Sequence, residues 1–186
     1  MRILLIGLVV LAVAVLVGVR LLRGRLPEAG TTSGNAAVSG PFGPATEVVG
    51  ISITLEIADT TALFVLLGAG GSINRKGTGR LENTEQELFI GKTDPAVFEA
   101  VRLKITQSLM QRWGNTYELA NPRGAPCVLS VAFHFRDKGS GGFRFLYGSE
   151  SERVPEDVAK FVIAAVKQTD PWYEDFKRNV SRRQSS

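Results

Sequence analysis

The chain has 186 residues and a formal net charge of +4, with a single cysteine and a single histidine. One cysteine excludes an intrachain disulfide and a zinc site built on cysteine pairs. With only one histidine in addition, the chain has few of the side chains that usually bind transition metals. We therefore expect the chain to use no metal and no cofactor.

The positive charge is concentrated at the two ends of the chain. Residues 1–25 and 177–186 together carry eight basic and no acidic residues, which leaves 14 basic and 18 acidic residues between them. A nucleic-acid-binding domain presents a basic face on the domain itself. The charge distribution therefore argues against nucleic acid as a partner.

A long apolar run opens the chain. Residues 3–19 are 17 consecutive residues without a charged side chain, and a helix of that length rises about 25 Å against a bilayer core of about 30 Å. Leu21 and Leu22 extend the segment if Arg20 snorkels to the headgroups. The alternative is a cleaved signal peptide, but arginines follow the run where a small-x-small cleavage site would be needed. We predict an uncleaved, single-pass transmembrane anchor with a basic flank over residues 1–26, with residues 3–22 in the lipid bilayer.

The arginines around this segment indicate its orientation. One precedes the segment and three follow it. Because arginine is enriched on the cytoplasmic side of membranes, we expect the soluble domain to face the cytoplasm, with the external orientation as the alternative. Basic residues near a bilayer also attract anionic lipids. Such contact is expected, unless the tail is simply solvated, from Arg20, Arg23 and Arg25 and from Lys177, Arg178, Arg182 and Arg183.

Composition divides the rest of the chain into three parts. Residues 27–46 are rich in Gly, Ser, Pro and Ala and contain one charged residue, which predicts a flexible linker. Residues 47–176 are long enough to form one domain with its own core. Residues 177–186 are predicted to be a basic disordered tail.

Four segments of strand length open the domain. Apolar and polar residues alternate from Ile51 to Ile57, residues 63–67 are continuously apolar, residues 72–81 are polar and glycine-rich, and residues 87–90 form a short apolar segment. Short connections between successive strands favour an antiparallel meander.

A helix and a hairpin follow these strands. Asp94 and a proline after it predict the N-terminus of a helix whose apolar stripe extends over residues 95–113. Alternation then predicts two strands, residues 127–135 and 143–147, joined by a glycine-rich turn.

The last part of the domain is predicted to be helical. A second helix begins at Pro155, and the sequence Thr169-Asp170-Pro171 should begin a short terminal helix. The element order ββββ-α-ββ-α predicts an α+β fold. We expect an antiparallel sheet of five to six strands with two to three helices packed mainly on one face.

Two groups of polar residues are candidate ligand-binding positions. The segment from Ser72 to Gly79 offers donors to an anionic or carbonyl ligand, between glycines that permit close approach. The alternative is an edge strand protected from aggregation by charge and glycine. Alternation along the last hairpin gives a second group on its solvent face. The candidates are Asn74, Arg75 and Lys76 in the first group and His134, Arg136 and Arg144 in the second.

Motifs typical of enzymes fail on spacing. The sequence Gly91-Lys92-Thr93 precedes a helix, but the first glycine of a P-loop would fall at Gln86. His134 has no partner that the sequence implies, and Cys127 lies on the other face of the same strand by parity. We therefore predict no catalytic residue and no metal ligand.

These observations favour one class of function over two others. We expect a single-pass, membrane-tethered accessory or interaction domain without catalytic activity, with an unknown protein partner. A small-ligand-binding domain, with a helix lying across a curved sheet, is the first alternative. A tethered enzyme that uses dispersed acidic residues is the second alternative.

Overall fold

The computed structural model describes residues 38–80, 87–151 and 154–184. The predicted transmembrane anchor and residues 27–37 of the predicted linker lie outside the described residues. Among the helices of the described part, none is both long and apolar enough to cross a membrane.

The described chain begins with a small hairpin of two strands, β1 (Ser39–Gly40) and β2 (Gly43–Pro44). The Gln107 amide holds β1 by its first residue, accepting from the backbone N–H at 2.9 Å and donating to the carbonyl at 2.9 Å. Phe42, at the hairpin turn, packs on Trp113 with 5.0 Å between ring centroids. The end of the predicted linker is therefore part of the folded domain.

A 3-10 helix (Ala45–Glu47) leads into an antiparallel meander of four strands. The strands are β3 (Val48–Ile57), β4 (Thr60–Gly68), β5 (Ser72–Lys76) and β6 (Phe89–Lys92). Alternation predicted β3 correctly, whereas β5 ends earlier than the predicted segment 72–81 and β6 begins later than the predicted segment 87–90.

The predicted helix over residues 95–113 is two helices, α1 (Pro95–Arg102) and α2 (Gln107–Gln111). Asp94 caps α1 as expected, because its Oδ1 accepts a hydrogen bond from a backbone N–H of the first turn at 2.8 Å. The chain breaks after α1 because Thr106 acts as a second N-cap, accepting from a backbone N–H of α2 at 3.3 Å. The expectation of one continuous helix was wrong for this local reason.

Three more strands complete the sheet. They are β7 (Thr116–Glu118), β8 (Pro126–Phe135) and β9 (Gly139–Gly148). The strand order is β6-β5-β4-β3-β8-β9-β7, and β7 runs parallel to β9 while the other pairs are antiparallel. The α+β class is confirmed, but the expectation of an antiparallel sheet of five to six strands was wrong. The seven-stranded sheet is mixed because β7, which is too short to show alternation, joins the edge of β9.

One long helix, α3 (Glu156–Gln184), closes the domain where two helices were predicted. Pro171 lies inside it. The Thr169 hydroxyl, within the tripeptide that was expected to begin a new helix, donates to the carbonyl of Ala165 at 2.8 Å, as in a continuous helix. Tyr173, two residues after Pro171, is fully buried, so this part of α3 still packs on the core. Helix α3 also includes residues 177–184, most of the segment predicted to be a disordered tail.

The buried core lies between the helices and one face of the sheet. Side chains from all three helices pack in a single cluster with alternate residues of the strands. On β3, for example, Ile51 and Ile53 are fully buried, whereas Ser52 and Thr54 between them are half-buried and point away from this core. Its members include Phe98, Leu109, Met110, Phe133, Phe161 and Ala165.

Candidate functional site

The described helices leave the second face of the sheet uncovered. We call it the open face and define it by eight uncharged outward side chains of β3, β4, β8 and β9, the four long central strands. Their register places these side chains next to one another across the sheet. All are half-buried by their neighbours. They are Ser52, Thr54, Phe64, Leu66, Val128, Ser130, Ala132 and Leu146.

The open face has a trough of small side chains beside a ridge of large ones. Ser52 pairs with Ala132, and Thr54 pairs with Ser130, so β3 and β8 form a strip of small residues. On the neighbouring strand β4, the residues opposite Ser52 and Thr54 are Leu66 and Phe64, respectively. The relief follows from sequence, because paired residues in a sheet project to the same side.

Charged side chains lie at the margin of the open face. Lys76 on β5 pairs with Phe64, Arg144 on β9 pairs with Ser130, and Glu56 lies at one end of β3. The helix layer differs, since the exposed side of α3 carries many charges of both signs. They include Glu156, Lys160, Lys167, Glu174, Asp175 and Arg178.

His134 lies at one end of the open face between two serine hydroxyls. Its Nε2 is 3.1 Å from Ser52 Oγ, and its Nδ1 is 2.6 Å from Ser140 Oγ. Gly50, which pairs with His134, makes room for the ring, because a Cβ there would lie 3.2 Å from His134 Cβ and Cδ2. Burial of the imidazole lowers its pKa. A neutral ring that donates from one nitrogen and accepts at the other fits both contacts.

The sequence did not point to these partners of His134. Ser52 is 82 residues away, and only the pairing of β3 with β8 brings the two together. The arrangement resembles part of a nucleophile–base pair, but Ser52 sits mid-strand with ladder neighbours on both sides. An acyl-transfer site needs free backbone N–H groups around the reacting carbonyl. The cluster therefore serves best as a neutral, hydrogen-bonded part of the surface.

Arg75 does not lie on the open face with Asn74 and Lys76. It is fully buried, because alternation along β5 points it toward α3. Its guanidinium donates to the carbonyl of Gly77 at 3.1 Å, to Thr169 Oγ1 at 2.8 Å and to Asp170 Oδ1 at 3.0 Å. Arg75 therefore joins β5 to α3 across the end of the core.

Tyr173 completes this buried cluster around Arg75. Its ring lies 5.2 Å from the centre of the Arg75 guanidinium, and its hydroxyl accepts a hydrogen bond from the backbone N–H of Gly77 at 3.0 Å. The contacts fix the turn after β5 against the helix. The Arg75 guanidinium is therefore buried and bonded within its own chain. It does not share a surface with the other predicted ligand-binding residues.

The remaining predicted positions are accessible but dispersed. Asn74 and Lys76 lie on the outer side of β5, half-buried, and Arg136 is exposed in the turn between β8 and β9. Arg144 and His134 project from the same face of the last hairpin, but His134 lies four positions along β8 from Ser130, the partner of Arg144. This spacing is about 13 Å along a strand. The predicted residues therefore do not form one small-molecule site.

A separate cleft opens at the end of the sheet where β3 and β8 meet the loop after β5. Its volume is about 480 Å³. Burial raises the pKa of the Tyr147 hydroxyl to about 12 and raises the pKa of the Cys127 thiol, so both groups stay protonated near neutral pH. The lining of the cleft combines apolar side chains with two hydroxyl groups and one arginine. It is lined by Leu55, Ile57, Gly79, Arg80, Cys127, Tyr147 and Ser149.

Within residues 38–80, 87–151 and 154–184, no group of three His, Cys, Asp or Glu side chains is placed to hold a metal ion. Comparison of the chain with protein-family models, with curated proteins and with solved structures gave no significant match.

Proposed function

We propose that the chain is a single-pass, membrane-tethered accessory or interaction domain without catalytic activity, and that the open face is its contact surface. One observation carries the proposal: three helices pack on one side of the seven-stranded sheet, and the described helices leave the other side uncovered. The apolar run of residues 3–19 supports the tether.

The composition of the open face supports contact with a partner. The solvent side of a half-covered sheet usually carries polar and charged side chains. Here the centre consists of small hydroxyl and methyl side chains, with Phe64 and Leu66 beside them and charges at the margin. The charges of α3 show that the same chain makes an ordinary solvated surface elsewhere. A neutral face of this size favours burial against another protein.

Site-specific photo-crosslinking in intact membranes tests this proposal. A benzophenone amino acid would replace Thr54 or Ser130 on the open face, with Lys160 on the exposed side of α3 as the matched control. We expect crosslinked products from Thr54 and Ser130 and none from Lys160. Equal yields at all three positions, or no product from the open face, would refute the proposal.

The cleft at the end of the sheet supports a second candidate, binding of a small amphipathic carboxylate. Arg80 can pair with the carboxylate, and an apolar tail can lie on Leu55 and Ile57. Benzoate and hexanoate should then raise the melting temperature of the chain. Arg80→Gln should abolish that shift and Arg123→Gln, which is outside the cleft lining, should retain it. An unchanged melting temperature at millimolar concentrations would exclude this function.

A further inference from the structure

We propose that the partner of the open face is the open face of a second copy, so that the domain forms a face-to-face homodimer. This inference rests on the proposed function, because it takes the open face as the contact surface. It adds the identity of the partner and the symmetry of the contact. Three properties of the face favour a second copy: its area, its relief and its distribution of charge.

The area of the open face matches a small specific interface. Strands β3, β4, β8 and β9 have nine or ten residues each. With a rise of about 3.3 Å per residue and about 4.8 Å between strands, the whole outer side of these strands, with Glu56, His134 and Arg144 included, covers about 600 Å². Two copies would therefore bury about 1,200 Å² in total, at the lower limit for stable complexes. A dimer held by this face alone is expected to depend on concentration.

The relief of the open face is self-complementary. The ridge formed by Phe64 and Leu66 lies beside the trough formed by Ser52, Thr54 and the small residues of β8. In a contact with two-fold symmetry, the ridge of each copy can enter the trough of the other, and every contact occurs twice. Sheets packed face to face interdigitate in this way at a distance of about 10 Å. The same small residues would leave a flat partner poorly packed.

The charges at the margin favour a protein of mixed charge over an anionic surface. Lys76 and Arg144 are basic, whereas Glu56 and Glu118 on the same side of the sheet are acidic. A surface built for anionic lipid or nucleic acid carries a single sign. The neutral centre can be buried without leaving an unpaired charge. A copy of the same face provides both signs for these marginal residues.

Sedimentation equilibrium of the purified full chain in detergent micelles tests the proposal. We expect a concentration-dependent dimer for the unmodified chain. Thr54→Lys and Ser130→Lys each place two like charges in the contact and should weaken the dimer about tenfold or more. Gln168→Lys, exposed on α3, is the matched control and should dimerise like the unmodified chain. Thermal unfolding of each variant shows whether the fold is retained.

The outcomes separate this inference from the proposed function. A monomeric unmodified chain overturns the homodimer, as does dimerisation of folded Thr54→Lys and Ser130→Lys that equals the dimerisation of Gln168→Lys. Crosslinking of the open face in membranes then shows why the homodimer prediction failed. A product with a different protein keeps the open face as a contact surface and excludes self-pairing. Absence of any product from the face removes both proposals.

Discussion

Replacement of Arg75 by alanine should destabilise the domain more than any change to an exposed arginine. The side chain is fully buried and donates to Gly77, Thr169 and Asp170. The Asp170 carboxylate is 45% exposed, so this ion pair is partly solvated and contributes about 1 kcal/mol or less. The two neutral acceptors, the contact with Tyr173 and the cavity left by truncation add to this loss. We expect a total of about 3–5 kcal/mol.

Two further variants separate the contributions at this position. Arg75→Met retains most of the volume and removes the charge, so it should cost about 2 kcal/mol less than Arg75→Ala because it leaves a smaller cavity. Arg136→Ala, in the exposed turn between β8 and β9, should change stability by less than about 0.5 kcal/mol. Urea titration of the full chain in micelles, followed by tryptophan fluorescence, measures all three. A value for Arg75→Ala within about 1 kcal/mol of Arg136→Ala would show that the buried cluster does not stabilise the fold as argued.

Three more predictions concern caps, protonation and packing. Asp94→Ala should cost about 1 kcal/mol in urea unfolding and Asp94→Asn almost nothing, because either Asp or Asn can cap α1; equal losses would contradict this reading. Burial lowers the pKa of His134 in the folded chain, so stability is complete above about pH 6.5 and falls as the pH decreases toward the lower folded value. His134→Gln should remove that slope between pH 7.5 and 5.5, and an unchanged slope would show that His134 is not its source. Gly141→Ala would place a Cβ 1.8 Å from Trp113 Nε1 and should cost about 1–3 kcal/mol with a shift in tryptophan emission, whereas Gly70→Ala, which meets open space, is the control; equal effects would contradict the packing argument.

The long strands β3 and β8 could be predicted because the alternation of apolar and polar residues indicates which face of the sheet each side chain occupies. Alternation along β3 and β8 separated the core from the open face before any contact was known. It did not predict β7, since three residues with one apolar side chain carry no periodic signal. The parallel pairing of β7 with β9 depends on where α2 delivers the chain, which is a tertiary effect.

The candidate site was harder to predict because its contacts join distant parts of the chain. The alternation of β5 placed Arg75 on the same side as Ile73, but a charged residue in a polar, glycine-rich segment is normally exposed. Its partners in α3 are 94 and 95 residues away. The same holds for His134 and Ser52, whose proximity follows from strand register alone.

The docking of the β1–β2 hairpin would have a mechanical consequence if the domain were tethered at its N-terminus as proposed. A pulling force on the predicted tether would enter at Ser39, where the Gln107 amide makes two hydrogen bonds and β1 pairs with β2 over two residues. These bonds, together with the hydrogen bond from the Ala45 N–H to the Val38 carbonyl at 2.7 Å, would be loaded before the long ladder of β3. Release of the hairpin would free Phe42 from Trp113 and lengthen the tether by about nine residues, or about 30 Å when extended. The hairpin would thus detach at a lower force than the one needed to unfold the central sheet.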